Sequence, residues 1–436
     1  MNNFLKFLKP SVDAFHAQDE IKKELIKSGY IELEENKKWK FQNGGKYFVV
    51  RDDAAIIAFT LPNNLESLDL EMSYNVVAAH LDSPTFKLKP NFDFEKSGYG
   101  MLNTEVYGGP ILNSWFDRPL NINGRVIVKT PTGVKSVLVN LNKPMCIIPN
   151  CSIHYRPELN TGVKVNAQLD LVPLFKDRDS NVDLYSIIAK KYELKKENII
   201  SSDLYLSILD RGCIGGADDS FIIAPQIDNL ECSYAILEAI KNSKPQDETV
   251  NVGAFFNSEE IGSDTINGAA SDFLSSILER ISLSLGYKIV EHKVLLANSF
   301  MISADNAQGF HPNYSSLYDP TNAVYLNGGI VIKSAARGSY TTNAMSMAIF
   351  MEICKRSKAK FQLNTNRSDV RGGSTLGAIS LSQVSIPSVD IGLAQVAMHS
   401  SMETSGAYDL DELIKALKGF YKTNIKMVSS NEFKLI

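Results

Sequence analysis

The sequence predicts an α/β protein: a central mixed β-sheet flanked by helices, interrupted by an inserted, mostly β domain. Strand and helix patterns alternate near the start of the chain and again after its middle, which predicts a sheet covered on both faces. Between them lies a stretch of short strand signals separated by Gly, Pro and Asn, which predicts the insert. The expected division is 1–92 for the first part of the main domain, 93–213 for the insert and 214–436 for the second part.

Taken in order, Ser11 is placed to cap a first helix, with Val12, Phe15, Ile21, Leu25 and Ile26 along one stripe and Gly29 ending it. "KYFVV", "AAIIAFTL" and "NVVAAHL" read as strands, rich in β-branched and aromatic residues. "YGGPILNSW", "GRVIVKTPTG", "KSVLVNL" and "PMCIIPN" carry the texture of the insert. From "IDNLECSYAILEAIKNS" onward, "ETVNVGAFFN", "NSFMISAD" and "QVSIPSVDIG" read as strands. "SDFLSSILERISLSLG", "YTTNAMSMAIFMEICKRS" and "YDLDELIKALKGFYKTN" carry apolar residues at helical spacing. No repeat or low-complexity segment interrupts this plan.

The chain has 436 residues, 44% of them apolar and 22% charged, enough for more than one domain. Its net charge of −4 argues against a basic nucleic-acid surface. Five cysteines form an odd set without a C-x-x-C pair, so neither a disulfide framework nor a cysteine zinc site is expected. "MNNFLKFLKPSVD" breaks its apolar residues with lysines and a proline, unlike a signal peptide. Leu376 to Met398, the least charged long stretch, holds Pro387 and Asp390, so no membrane span is expected. A cytoplasmic protein is the expectation.

The chemistry gathers just past strand ends. His80 follows "NVVAA", with Asp82 two residues on, where a carboxylate can fix the tautomer of a metal-bound imidazole. His399 follows "DIGLAQVAM", Asp305 follows "MISA", and Glu259 and Glu260 follow "GAFFNS". Asp228 in "QIDNL" opens a helix. Singly, each has an ordinary reading: a strand-end histidine, a turn acid, an acid stabilised by a helix dipole. Together they fall where α/β sheets place their sites, at the carboxyl ends of strands. Two histidines and several carboxylates there suit zinc or a similar divalent ion. In extended backbone the adjacent glutamates would point to opposite sides, one toward metal and one toward a water.

The ordered set "AAHLDSP", "GGPILNSWFDRPL", "QIDNL", "FFNSEEIGS", "SADNAQGFHPNY", "GGIVIKSAARGSY", "RSDVRGGSTLGAIS" and "AMHSSMETSG" resembles the two-zinc aminopeptidases of the M18 family, the aspartyl-aminopeptidase-like enzymes. The resemblance spans Ala78 to Gly406 and implies a zinc-peptidase-type catalytic domain with a dimerising insert. It implies two Zn2+ per subunit, with Mn2+ or Co2+ as alternatives. His80 and Asp305 would hold one metal, Glu260 and His399 the other, and Asp228 would bridge them. Glu259 would be the general base and Asp82 would orient His80. Lys333, Tyr340, His311 and Gln308 match substrate-side positions, and His154 matches a histidine that reaches a neighbouring subunit's site. Gln308 departs from the family, which usually has histidine there, and this weakens the implied preference for acidic N-terminal residues because glutamine carries no charge. The implied assembly is a homodimer building a tetrahedral homododecamer. Competing readings are a deacylase or carboxypeptidase on the same metals, and a catalytically silent assembly protein.

Overall fold

The computed structural model describes residues 2–66, 69–244, 248–370 and 372–436. Among the described residues the central sheet has nine strands. From edge to edge they are Ile31–Glu32, Lys46–Arg51, Ala55–Thr60, Thr249–Phe256, Ser73–His80, Phe300–Ala304, Ser388–Gly392, Ile330–Lys333 and Phe361–Asn364. The four from Thr249–Phe256 to Ser388–Gly392 run parallel. Ala55–Thr60 and Ile330–Lys333 flank them antiparallel, so the sheet is mixed, as expected.

Parallel strands covered on both faces read as continuous apolar runs, and every residue of Ser73–His80 and Thr249–Phe256 is buried. The two-residue period sends Val77, Ala79 and Phe255 into one core. Val76, Ala78, Ala254 and Phe256 enter the other. Helices Ile227–Ile240 and Asp409–Phe420 cover the first face, and Phe273–Ser284 covers the second.

The first expected helix is real but is capped differently. It runs Ala14–Lys27, and Asp13 rather than Ser11 accepts the orphan His16 N–H, at 2.8 Å. Ser11 instead donates to the Phe7 carbonyl of a preceding helix, Asn2–Leu8. Phe15, Ile21 and Leu25 are buried, whereas Ile26 is 52% exposed because it lies off the inward stripe.

The middle of the chain forms its own six-stranded sheet: Gly133–Asn140, Leu120–Thr130, Ile199–Ile208, Thr85–Lys96, Tyr99–Tyr107 and Leu174–Lys176. That sheet and helix Leu184–Lys191 enclose a separate core. It begins at Thr85, inside the expected first segment, because Phe86 and Leu88 alternate into the insert's core rather than the main one. Cys213 opens a strand of a third sheet, Cys213–Gly215, Phe221–Ala224, Glu403–Gly406, Ala394–Val396 and Ala307–Gln308. The insert is docked on helix Ala14–Lys27 and on the turn after Lys46–Arg51: Asn123 donates to the Asp13 carboxylate at 2.7 Å, Arg125 lies over Phe15, and Arg125 also donates to Asp52. All five cysteines are free. No helix among the described residues is long and apolar enough to cross a membrane.

Candidate metal centre

The carboxyl ends of three of the parallel strands, Ser73–His80, Thr249–Phe256 and Phe300–Ala304, converge on one cleft of about 240 Å3. His80 is the last residue of Ser73–His80, and its ring is buried. Its Nδ1 faces the Asp82 backbone carbonyl at 3.0 Å and an Asp82 carboxylate oxygen at 3.5 Å. That leaves Nε2 aimed into the cleft, 3.5 Å from an oxygen of Asp228 and 3.5 Å from one of Asp305. Asp305 follows directly on Phe300–Ala304.

Across the cleft, His399 Nε2 lies 3.6 Å from the other Asp228 oxygen and 3.5 Å from Glu260 Oε1. The His399 backbone is left-handed, φ 67°, a conformation uncommon for a residue with a side chain. Its Nδ1 faces the Gly109 carbonyl of the insert at 3.1 Å, and its own carbonyl accepts the Ile111 N–H at 2.8 Å.

The two glutamates are not in extended backbone. Past Phe256 the chain turns through left-handed Ser258 into a 3-10 turn, Glu259–Ile261. This turn, not strand alternation, separates the side chains. Glu259 faces His80, at 4.0 Å, and Glu260 faces His399. Both of their N–H groups point at one carboxylate: Glu259 donates to one oxygen of Asp82 and Glu260 to the other, each at 3.1 Å.

These separations bear on a metal. At 3.5–3.6 Å the His80 and His399 contacts are too long for hydrogen bonds. They are close to the edge of a tetrahedron with metal–ligand bonds of ~2.0–2.1 Å, about 3.4 Å. Asp228 Oδ1 and Glu260 Oε1 are buried without a hydrogen-bond partner, an expense that a cation would offset. His80, Asp228 and Asp305 form one group able to hold an ion, and Asp228, Glu260 and His399 form a second sharing Asp228. His80, Glu259 and Glu260 form another such group in the same cleft, and a further one, Asp69, Glu71 and Glu248, lies at the surface, with Lys426 bonded to both of its glutamates.

The fields in the cleft are strong. Burial opposes ionisation of Asp228, yet His399 and His80 hold its pKa below the ordinary carboxylate value. Burial, then the charges of Asp305, Asp82 and Asp228, push Glu259 up to about 7 against the pull of His80. Burial and Asp228 push Glu260 well up. Burial disfavours the charged form of His80, but Asp228, Asp305 and Asp82 raise its pKa well above the usual value.

Of the expected substrate-side residues, Gln308, Lys333 and Tyr340 line the cleft. Lys333 is the one lysine or arginine among its described lining residues. It donates to the Asn306 carbonyl at 2.8 Å and sits 5.5 Å from the Tyr340 ring. Arg371, in the quoted "RSDVRGG", lies outside the described residues. His311 does not line the cleft; its Nδ1 accepts the Asn313 N–H and its ring stacks on Tyr314. His154 lies exposed on the insert, also away from the cleft.

Sequence reasoning missed two groups. Tyr107 of the insert donates its hydroxyl to Asp82 at 2.9 Å. Glu403 accepts the N–H groups of both Asp228 and His399. A tyrosine ends "TEVY" and an acid ends "HSSME", but nothing local marks either as bonding to the residues of the cleft.

Comparison with known proteins identifies the family and the fold. A family model described as aminopeptidase I zinc metalloprotease (M18) matches residues 7–421. A protein of Clostridium acetobutylicum named probable M18 family aminopeptidase 2 is 42% identical over 435 residues, covering 97% of this chain and 100% of that one. A protein of the same name from Pseudomonas aeruginosa is 34% identical, covering 96% and 97%. Among solved structures, a chain of the Ape4 and Nbr1 complex superposes with a TM-score of 0.92 at 30% identity, covering 96% of this chain and 85% of that one. The S. cerevisiae mApe1 dodecamer superposes with a TM-score of 0.85 at 27% identity, covering 96% and 95%.

Proposed function

The chain belongs to the M18 family of zinc metalloproteases, and from that premise we propose that it is a two-metal aminopeptidase releasing N-terminal residues from peptides. The observation that carries the two-metal reading is Asp228, whose two oxygens face His80 and His399 separately, at 3.5 and 3.6 Å. His80 and Asp305 would hold one zinc, Glu260 and His399 would hold the other, and Asp228 would be shared between them. Nitrogen and carboxylate donors would also accept Mn2+ or Co2+.

Zinc bound there would polarise the scissile carbonyl and make a water a stronger acid. The protein does the rest. Glu259 takes the proton of the attacking water and delivers it to the leaving amine. Asp82 keeps His80 oriented and holds the glutamate turn by two backbone N–H groups. Lys333, Tyr340 and Gln308 receive the N-terminal residue. Lys333 favours an acidic side chain, while Gln308 adds hydrogen bonding without charge. The insert dimerises, and the dimers build a tetrahedral dodecamer in the cytoplasm, as the likeness to the mApe1 dodecamer supports. His154 then reaches the neighbouring subunit's cleft.

Glu259→Gln should retain its metal and lose roughly 10²–10⁴-fold in kcat; wild-type turnover with metal bound would refute the role. Free-amine peptides should be cut and N-acetylated ones left intact, the reverse being the mark of a deacylase. A panel of N-terminal residues assayed with zinc, manganese and cobalt reads the acidic preference and the metal together. Sedimentation as a stable monomer would remove both the assembly and the place of His154.

A further inference from the structure

Glu403 is the least expected group beside the cleft. It opens strand Glu403–Gly406 in the third sheet, paired in register with Ala224. It is buried, 2% exposed, and forms no ion pair with a lysine or arginine among the described residues. A buried carboxylate without a cation is costly unless both oxygens are bonded. Here they are bonded to two different segments. Oε1 accepts the His399 N–H at 2.6 Å and Oε2 accepts the Asp228 N–H at 3.0 Å.

Those two segments come from distant parts of the chain and meet through their side chains, Asp228 to His399 at 3.6 Å. His399 needs such support, because its backbone is left-handed. Asp82 offers an internal comparison. It too is a buried carboxylate accepting two backbone N–H groups, those of Glu259 and Glu260. The cleft is therefore braced from two sides by the same device, one carboxylate spanning two N–H groups.

We propose that Glu403 is a positioning residue that sets the separation of Asp228 and His399, and with it the geometry of the metal position on the His399 side. This rests on the two-metal reading above. An acid is required rather than an amide. A glutamine offers one acceptor oxygen, and its NH2 would confront whichever N–H group the oxygen does not reach. Glu403 touches neither substrate nor metal, so its effect passes through the two ligands it holds.

The test uses the full-length protein, with zinc alone and cobalt alone as probes. Stepwise affinities are measured by competition with a chelator, and the visible spectrum of the cobalt-loaded protein is recorded alongside kcat and KM. Glu403→Gln should weaken one of the two binding steps by roughly 10- to 100-fold, the usual cost of losing a partner behind a metal ligand. The other step, which shares Asp228 but not His399, should weaken less. The cobalt spectrum should shift, and kcat should fall more than KM rises. Glu403→Asp, which keeps the charge but is too short to span both N–H groups, should show the same unequal loss. Wild-type affinities and an unaltered cobalt spectrum in both variants would overturn the proposal, whatever happens to thermal stability. So would failure of both to fold, which would make the carboxylate a structural one. If the wild-type protein itself binds fewer than two ions, the two-metal reading fails instead, and the two failures are thereby told apart.

Discussion

Replacing Asp82 with asparagine should damage the cleft far more than its single-atom change suggests. In the native protein one Asp82 oxygen accepts the Glu259 N–H at 3.1 Å. The other accepts the Glu260 N–H at 3.1 Å and the Tyr107 hydroxyl at 2.9 Å. An asparagine amide has one acceptor oxygen. Whichever way it flips, its NH2 faces one of the two glutamate N–H groups, and that hydrogen bond to a charged partner is lost. The cost of one such bond is ~1.5–3 kcal/mol, or about 10- to 150-fold at ~1.4 kcal/mol per decade. His80 also loses the negative oxygen 3.5 Å from its Nδ1. The loss should therefore appear both in kcat/KM on an unblocked peptide and in zinc affinity, because the glutamate turn and His80 are disturbed together. The zinc-free protein should be destabilised by the same ~1.5–3 kcal/mol, because Asp82 is buried and the lost bond belongs to the folded state. Wild-type kcat/KM together with wild-type zinc affinity in Asp82→Asn would refute the reasoning.

The other expectations concern stability and the metal. Burial disfavours charge on both Asp13 and His16, but each stabilises the other, lowering Asp13 from 3.8 and raising His16 from 6.5. The pair's contribution is thus complete between those ordinary values. It is lost as pH falls through the depressed Asp13 value or rises through the elevated His16 value. The difference in unfolding midpoint between wild type and His16→Gln should shrink as pH climbs beyond 6.5, and a difference that grows there would contradict the assignment. Gly392→Ala should cost ~1–3 kcal/mol or more, read by denaturant unfolding, because a methyl group there would overlap the Asp305 carbonyl. Unchanged stability would show that the two strands can part. Phe350→Ala, in the core under the sheet, should cost ~3–5 kcal/mol with kcat kept at temperatures where the variant stays folded. Removing metal with a chelator should abolish activity and lower the unfolding temperature, both restored by zinc; full activity after complete removal would exclude a metal mechanism.

Much of the sheet was legible because buried parallel strands must be apolar throughout. "NVVAAHL" and "VGAFFN" carry that signature locally. Cap identity was less legible: Ser11 and Asp13 are both ordinary N-cap residues, and Asp13 is distinguished by Asn123, a residue of the distant insert. The same limit applies to the edge of the insert. Phe86 and Leu88 alternate as any half-buried strand does, and only the sheet they join decides which core they enter.

The sequence by itself determined which polar residues stand at strand ends, His80, Asp305 and the Glu259–Glu260 pair, because strand length and burial are written in local composition. The tertiary structure alone decided what they face. The glutamates part through a left-handed residue and a tight turn rather than by alternation. Asp228 comes to lie between two histidines. Asp82 reaches the N–H groups of Glu259 and Glu260, 177 and 178 positions away along the chain, and Glu403 reaches that of Asp228, 175 positions away. Hydrogen bonds over such separations leave no periodicity or spacing in the sequence; they exist only once the sheets have brought the strand ends together.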